Sequence, residues 1–141
     1  MSSATTSSGG GRANRTGNRL EKFVQTALQD HDYLEFWNHK AQFFENSEVI
    51  GGKQYAKQVP VGLTIYKTLR KCDFFIINKE RFPLGLIVEC KWQQVAGSVD
   101  EKYPFLIYNI IKTGIPTIVL MDGAGYKKSA MEWLKDQVSP D

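Results

Sequence analysis

The stretch LGLIVECKWQ, Leu84 to Gln93, decides how this chain is read. Its first half is an apolar run that suits a strand inside a sheet. Its second half brings a carboxylate, a thiol and a lysine. Alternate residues of a strand share a face, so Glu89, Lys91 and Gln93 point one way and Val88, Cys90 and Trp92 the other. A strand over 86–93 therefore ends polar on one face and apolar on the other.

A partner strand precedes it. Asp73-Phe74-Phe75-Ile76-Ile77 is apolar after its first residue, and 78–83 is a polar connection of hairpin type. Antiparallel pairing joins the start of one strand to the end of the next, which puts Asp73 beside Glu89. Paired strands lie about 4.7–4.9 Å apart. Two carboxylates that close repel each other unless a cation or proton lies between them. Mg²⁺ suits the position, because it takes hard oxygen ligands, commonly one or two carboxylates with water and phosphate. Such an ion polarises a phosphoryl oxygen and acidifies water. Lys91, about 7 Å along the strand from Glu89, is placed to orient that water or to meet charge developing on phosphate oxygens.

Working outward, Ser98 and Glu101 form a capping box for a helix running to about Thr113, and Gly114 and Pro116 stop it. Pro104 sits awkwardly inside that helix, which predicts a kink or a later start. Residues 117–121 read as a short buried strand and 127–137 as a last helix. On the other side, Leu20, Phe23, Val24, Ala27 and Leu28 keep helical spacing and predict a helix over 19–30, with Glu21 at the edge of its buried stripe. The middle is weaker: 33–40 reads as a short helical or irregular piece, 43–50 as a strand, and 55–66 as irregular or edge-strand structure interrupted by Pro60 and Gly62. The order β, β, α, β, α after residue 72 predicts an α/β fold, a mixed sheet flanked by helices.

Composition bounds the rest. A chain of 141 residues with 42% apolar content suits one domain, here 19–141. Residues 1–18 are Ser, Thr, Gly, Ala, Asn and Arg without apolar period, and are expected to be a disordered basic tail. Arg12, Arg15 and Arg19 hold three of the 18 basic residues, so the body balances 15 against 15 acids. Bulk charge gives no support to nucleic-acid binding, and any phosphate-binding face must come from local clusters. No apolar run is long enough to cross a bilayer and the N-terminus lacks a secretory pattern, so a cytoplasmic location is expected. Cys72 and Cys90 are too few for a disulfide framework and read as small core residues. His31 and His39 have no acid at a diagnostic spacing. Arg70 and Lys71 lie just before Asp73, within reach of a phosphate.

Asp73 followed by Glu89-Cys90-Lys91 resembles the D…(D/E)-x-K pattern of the PD-(D/E)XK nuclease superfamily, which includes restriction endonucleases and Holliday-junction resolvases. The likeness covers most of 19–122. It implies a restriction-endonuclease-like core in which Asp73 and Glu89 hold Mg²⁺, with Mn²⁺ as a substitute, and Lys91 assists the attacking water. It also implies a role for Glu21 on the first helix, for Gln93 two residues after the lysine, and for Lys102 as a phosphate contact. Cys72 replaces the proline that often precedes the Asp, a position that donates no ligand. The expected function is a Mg²⁺-dependent DNA endonuclease. Its substrate would be double-stranded or branched DNA, and it would act as a homodimer or larger symmetric oligomer because one small domain must cut two strands. A non-catalytic nucleic-acid-binding or assembly subunit on the same fold, a junction-resolving nuclease and an RNA-directed nuclease are the alternatives.

Overall fold

Alternating and continuous apolar runs build one five-stranded sheet in the order β1-β2-β3-β4-β5. The computed structural model describes residues 8–35, 52–92 and 102–138, with side chains in the first helix described from Arg19 onward. The elements are α1 (Ser8–Asp30), β1 (Leu34–Glu35), β2 (Gln54–Leu63), β3 (Leu69–Asn78), β4 (Phe82–Trp92), α2 (Tyr103–Thr113), β5 (Thr117–Asp122) and α3 (Lys128–Asp136). Strands β2, β3 and β4 form an antiparallel meander. The outer strands β1 and β5 pair parallel with their neighbours. This is the mixed α/β sheet expected from the element order. No described helix is long and apolar enough to cross a membrane.

The sheet buries apolar side chains on both faces. Phe74, Ile76, Leu86, Val88 and Tyr55 pack against Val24 and Leu28 of α1. Val59, Cys72, Phe75, Ile77 and Ile87 fill the opposite face. Gly85 makes the second layer possible. Its φ is +85°, and a Cβ there would meet Phe75 Cζ at 2.4 Å.

Several boundaries differ from the sequence expectation. The first helix starts at Ser8 rather than 19. Extending a formed helix costs much less than nucleating one, so a poor apolar period does not end it. Residues 54–63 form one continuous strand, which keeps an irregularity: Gln58 has φ +54° and the register shifts between Pro60 and Leu63. Pro60 is tolerated because the short β1 pairs only with Gln54 and Tyr55, leaving the rest of that edge without a described strand. Strand β4 begins at Phe82, and the hairpin connection shortens to 79–81. Helix α2 starts at Tyr103 with Pro104 in its first turn, the later start that the proline allowed. The capping box at Ser98–Glu101 and the strand expected at 43–50 lie outside the described residues.

Candidate active site

After a register shift between Asn78 and Ile76, the pairing of β3 with β4 runs from Ile76 opposite Leu86 to Phe74 opposite Val88 and stops there. One residue further, the Asp73 side chain takes over from the ladder. Its Oδ2 accepts the backbone N–H of Cys90 at 2.7 Å. On its other flank, Gln58 Nε2 donates to Asp73 Oδ1 at 3.2 Å. A local distortion makes this geometry. Gln58 has φ +54°, and the two-residue alternation slips here in both strands: Ala56 and Val59 share a face, as do Cys72 and Phe75. Such irregularities re-aim side chains beside functional sites.

Glu89 stands next to this point and is buried. Its Oε1 accepts from Arg70 Nη2 at 3.0 Å, and its Oε2 lies 4.0 Å from Lys91 Nζ. Burial raises the Glu89 carboxyl above its ordinary value, and the nearby Asp73 adds to the rise. Lys91 and Arg70 oppose it. Glu21 of α1 joins the group from the other side of the strand end. Its carboxyl is also raised, first by burial and then by Asp73, with Lys57 acting against both. Glu21 and Glu89 thus each feel the charge of Asp73.

Most of the residues expected from the sequence converge. Asp73, Glu89, Lys91 and Glu21 share the site. Lys91 is about one-third exposed, so its ammonium reaches solvent from a strand whose other polar end is buried. A cavity of about 340 Å³ opens over Glu89 and Lys91, and Lys71, Lys102 and Tyr103 border it. Gln93 lies outside the described residues. Arg70 differs from its expected role. Its guanidinium faces inward, donating to Glu89, to the Asn109 carbonyl and to the Thr113 hydroxyl. The cause is strand position: β3 begins at Leu69, so Arg70 and Cys72 both fall on its buried side. The one sequence signal was a basic residue two before a buried cysteine, legible only once the strand is known to start that early. Gln58 and Asn109 carried no such signal.

Among the described residues, no group of three or more His, Cys, Asp and Glu side chains is arranged to hold an ion. The donor chemistry nevertheless suits a divalent cation. Asp73 and Glu89 present hard oxygens, and the Asp73 charge adds to the rise that burial imposes on Glu89, a repulsion that a cation between them relieves. A larger cavity of about 880 Å³ lies between α2, β5 and α3, lined by Ile107, Ile111, Met131 and Leu134, and borders none of these residues.

Comparison with known proteins gives one finding. The family model described as "PD-(D/E)XK nuclease superfamily domain" matches residues 12–141, nearly the whole chain. Neither the curated proteins nor the solved structures contain a significant match.

Proposed function

The chain belongs to the PD-(D/E)XK nuclease superfamily, and from that membership and its site we propose a metal-dependent endonuclease that hydrolyses phosphodiester bonds of DNA. The observation that carries the reading is the meeting of Asp73, Glu89, Glu21 and Lys91 at one strand end. Asp73 and Glu89 would hold Mg²⁺, or Mn²⁺ in its place. When bound, the ion would supply Lewis acidity to a phosphoryl oxygen and a more acidic water.

The remaining work falls to the chain itself. The Cys90 N–H and Gln58 fix the Asp73 carboxylate from two directions, so it cannot rotate away from the site. Arg70 fixes one oxygen of Glu89 from the protein interior and leaves the second oxygen on the Lys91 side. Lys91 donates hydrogen bonds to the water or to a non-bridging phosphate oxygen, where charge builds in the transition state. Glu21 adds a carboxylate at the edge of the site, held above its ordinary value by burial and by the charge of Asp73. The exposed Lys71 and Lys102 at the cavity rim meet the DNA backbone. A homodimer would place two such sites on the two strands of a duplex.

The test is cleavage of supercoiled plasmid and of a four-way junction, with Mg²⁺ or with EDTA, by wild type and by Lys91→Ala. The expected result is cutting that needs both the metal and Lys91. Equal cutting with EDTA, or by Lys91→Ala, would overturn the reading.

A further inference from the structure

An exposed aromatic pair stands beside the lysine-rimmed cavity. Tyr66 is 73% exposed at the tip of the turn between β2 and β3. Its ring stacks on Phe105 in the first turn of α2, with centroids 5.1 Å apart and planes 23° from parallel. Phe105 itself lines the cavity that holds Glu89 and Lys91. A tyrosine this exposed gains little from burial, so core packing does not account for its placement.

The turn beneath it is held firmly. The Thr64 and Thr68 hydroxyls bond to each other at 2.7 Å. Thr64 Oγ1 also accepts the Tyr66 N–H, and Thr64 N–H donates to the Thr68 carbonyl. Two bonds tether the turn to α2: Ile65 N–H donates to Asn109 Oδ1 at 2.9 Å, and Lys112 Nζ donates to the Thr64 carbonyl at 3.0 Å. Lys67 takes φ +62° to close the turn. A mobile loop would lose most of the benefit of an exposed ring, because ordering it on binding costs entropy. This one is ordered in advance.

We propose that Tyr66 and Phe105 form a stacking shelf for an unpaired nucleobase, next to the phosphate that sits at Lys91. The occupant is a base splayed out of a nucleic-acid strand. Three observations select it. The shelf offers a flat π-face, which every base can stack on. Lys71 and Lys102 line the adjoining cavity and Lys67 follows Tyr66 in the turn, all three exposed, which supplies positive charge for the adjoining phosphates. Phe105 of the shelf and Glu89 border one cavity, so a single strand can touch both. The inference rests on the nucleic-acid substrate proposed above and adds a preference within it, for substrates carrying an unpaired nucleotide near the cut.

The experiment uses the full chain in EDTA, so that nothing is cleaved. The probes are DNA and RNA duplexes with one unpaired 2-aminopurine, against fully paired controls. Stacking quenches the 2-aminopurine emission, so wild type should quench it and bind the unpaired probe better than the control. Tyr66→Ala should abolish the quenching and weaken binding of the unpaired probe about tenfold. It should leave the salt dependence unchanged, because no phosphate contact is lost. Lys71→Ala should keep the quenching and lower the slope of log K against log salt by about 0.9. Tyr66→Phe, which retains the ring, should behave as wild type. Binding and quenching by Tyr66→Ala equal to wild type would overturn the shelf while leaving the nuclease reading standing. Failure of wild type to bind either nucleic acid would remove the reading beneath it. The DNA and RNA probes separate the two sources of the base.

Discussion

Removing the Arg70 side chain should be among the most damaging single changes in this protein. Arg70 and Glu89 are each about 6% exposed, and the guanidinium also serves Asn109 and Thr113. In Arg70→Ala, Glu89 keeps a buried charge that has lost its closest partner, and the Asn109 carbonyl loses a donor. Breaking a buried ion pair from one side costs about 3–5 kcal/mol. For a domain of this size that is roughly 10–15 °C in melting temperature. The pH dependence should change as well. Burial already holds the Glu89 carboxyl above its ordinary 4.5, and losing Arg70 raises it further. A raised acid is neutral in both states at low pH, so it costs nothing there. As pH climbs from 4.5 towards the folded-state value, the unfolded chain ionises first and stability falls. Arg70→Ala should widen and deepen that fall. The decisive measurement is urea or thermal unfolding of Arg70→Ala, Glu89→Gln and the double variant at pH 7. Glu89→Gln should destabilise the wild type, yet be neutral or stabilising in Arg70→Ala, where it removes the stranded charge. A melting temperature within about 3 °C of wild type, or the same cost for Glu89→Gln in both backgrounds, would refute the reasoning.

Asp73→Ala and Glu89→Ala should each abolish cleavage while a DNA mobility-shift assay still detects binding, because backbone contacts are separate from the chemistry. Gly85→Ala should cost about 2–4 kcal/mol in urea unfolding, combining a positive φ with a Cβ driven into the buried Phe75 ring. Burial pushes the Cys72 and Cys90 thiols up to about 12, helped by Glu89 for Cys72 and by Asp73 for Cys90. Both thiols should therefore react slowly with iodoacetamide at pH 8 in the native protein and readily in urea. Their contribution to stability is flat below pH 9 and is lost between 9 and about 12, as the unfolded thiols ionise first. Glu21→Gln should raise the melting temperature slightly in EDTA, since it removes a charge that Asp73 opposes, and calorimetry would record the gain.

The hairpin and the residues at its open end were readable because strand alternation and a short polar turn leave few other arrangements. Val88 and Cys90 do face α1 while Glu89 faces away, as a period of two requires. The same rule fails at Asp73. Gln58 adopts a left-handed conformation and the alternation slips in both strands, and neither residue type announces that. Arg70 reads from the sequence as a phosphate contact because charge next to an acid at a strand end reads as outward-facing. Its burial depends on Asn109 and Thr113, some 40 residues away on α2, and long-range polar matches leave no local periodicity. Tyr66 was equally silent. An aromatic in a turn after a β-branched run looks like a strand end, and only its stacking on Phe105 separates it from the core.

Glu89 brings these threads together. The Glu89–Lys91 ion pair does not by itself account for the burial of Glu89. A free exposed pair at 4.0 Å is worth about 0–1 kcal/mol, too little to justify burying a carboxylate whose value is raised by that burial. Arg70 supplies the missing compensation from inside the fold. It holds one oxygen and opposes the rise that burial imposes, so the carboxylate is fixed without using Lys91 as its structural partner. That division leaves Lys91 partly exposed and the second Glu89 oxygen turned to the cavity that Lys71 and Lys102 border. A purely structural pair would need neither the buried guanidinium nor the opening. The proposed cation site and its phosphate contact account for the opening, and the buried guanidinium accounts for the fixed carboxylate beside it.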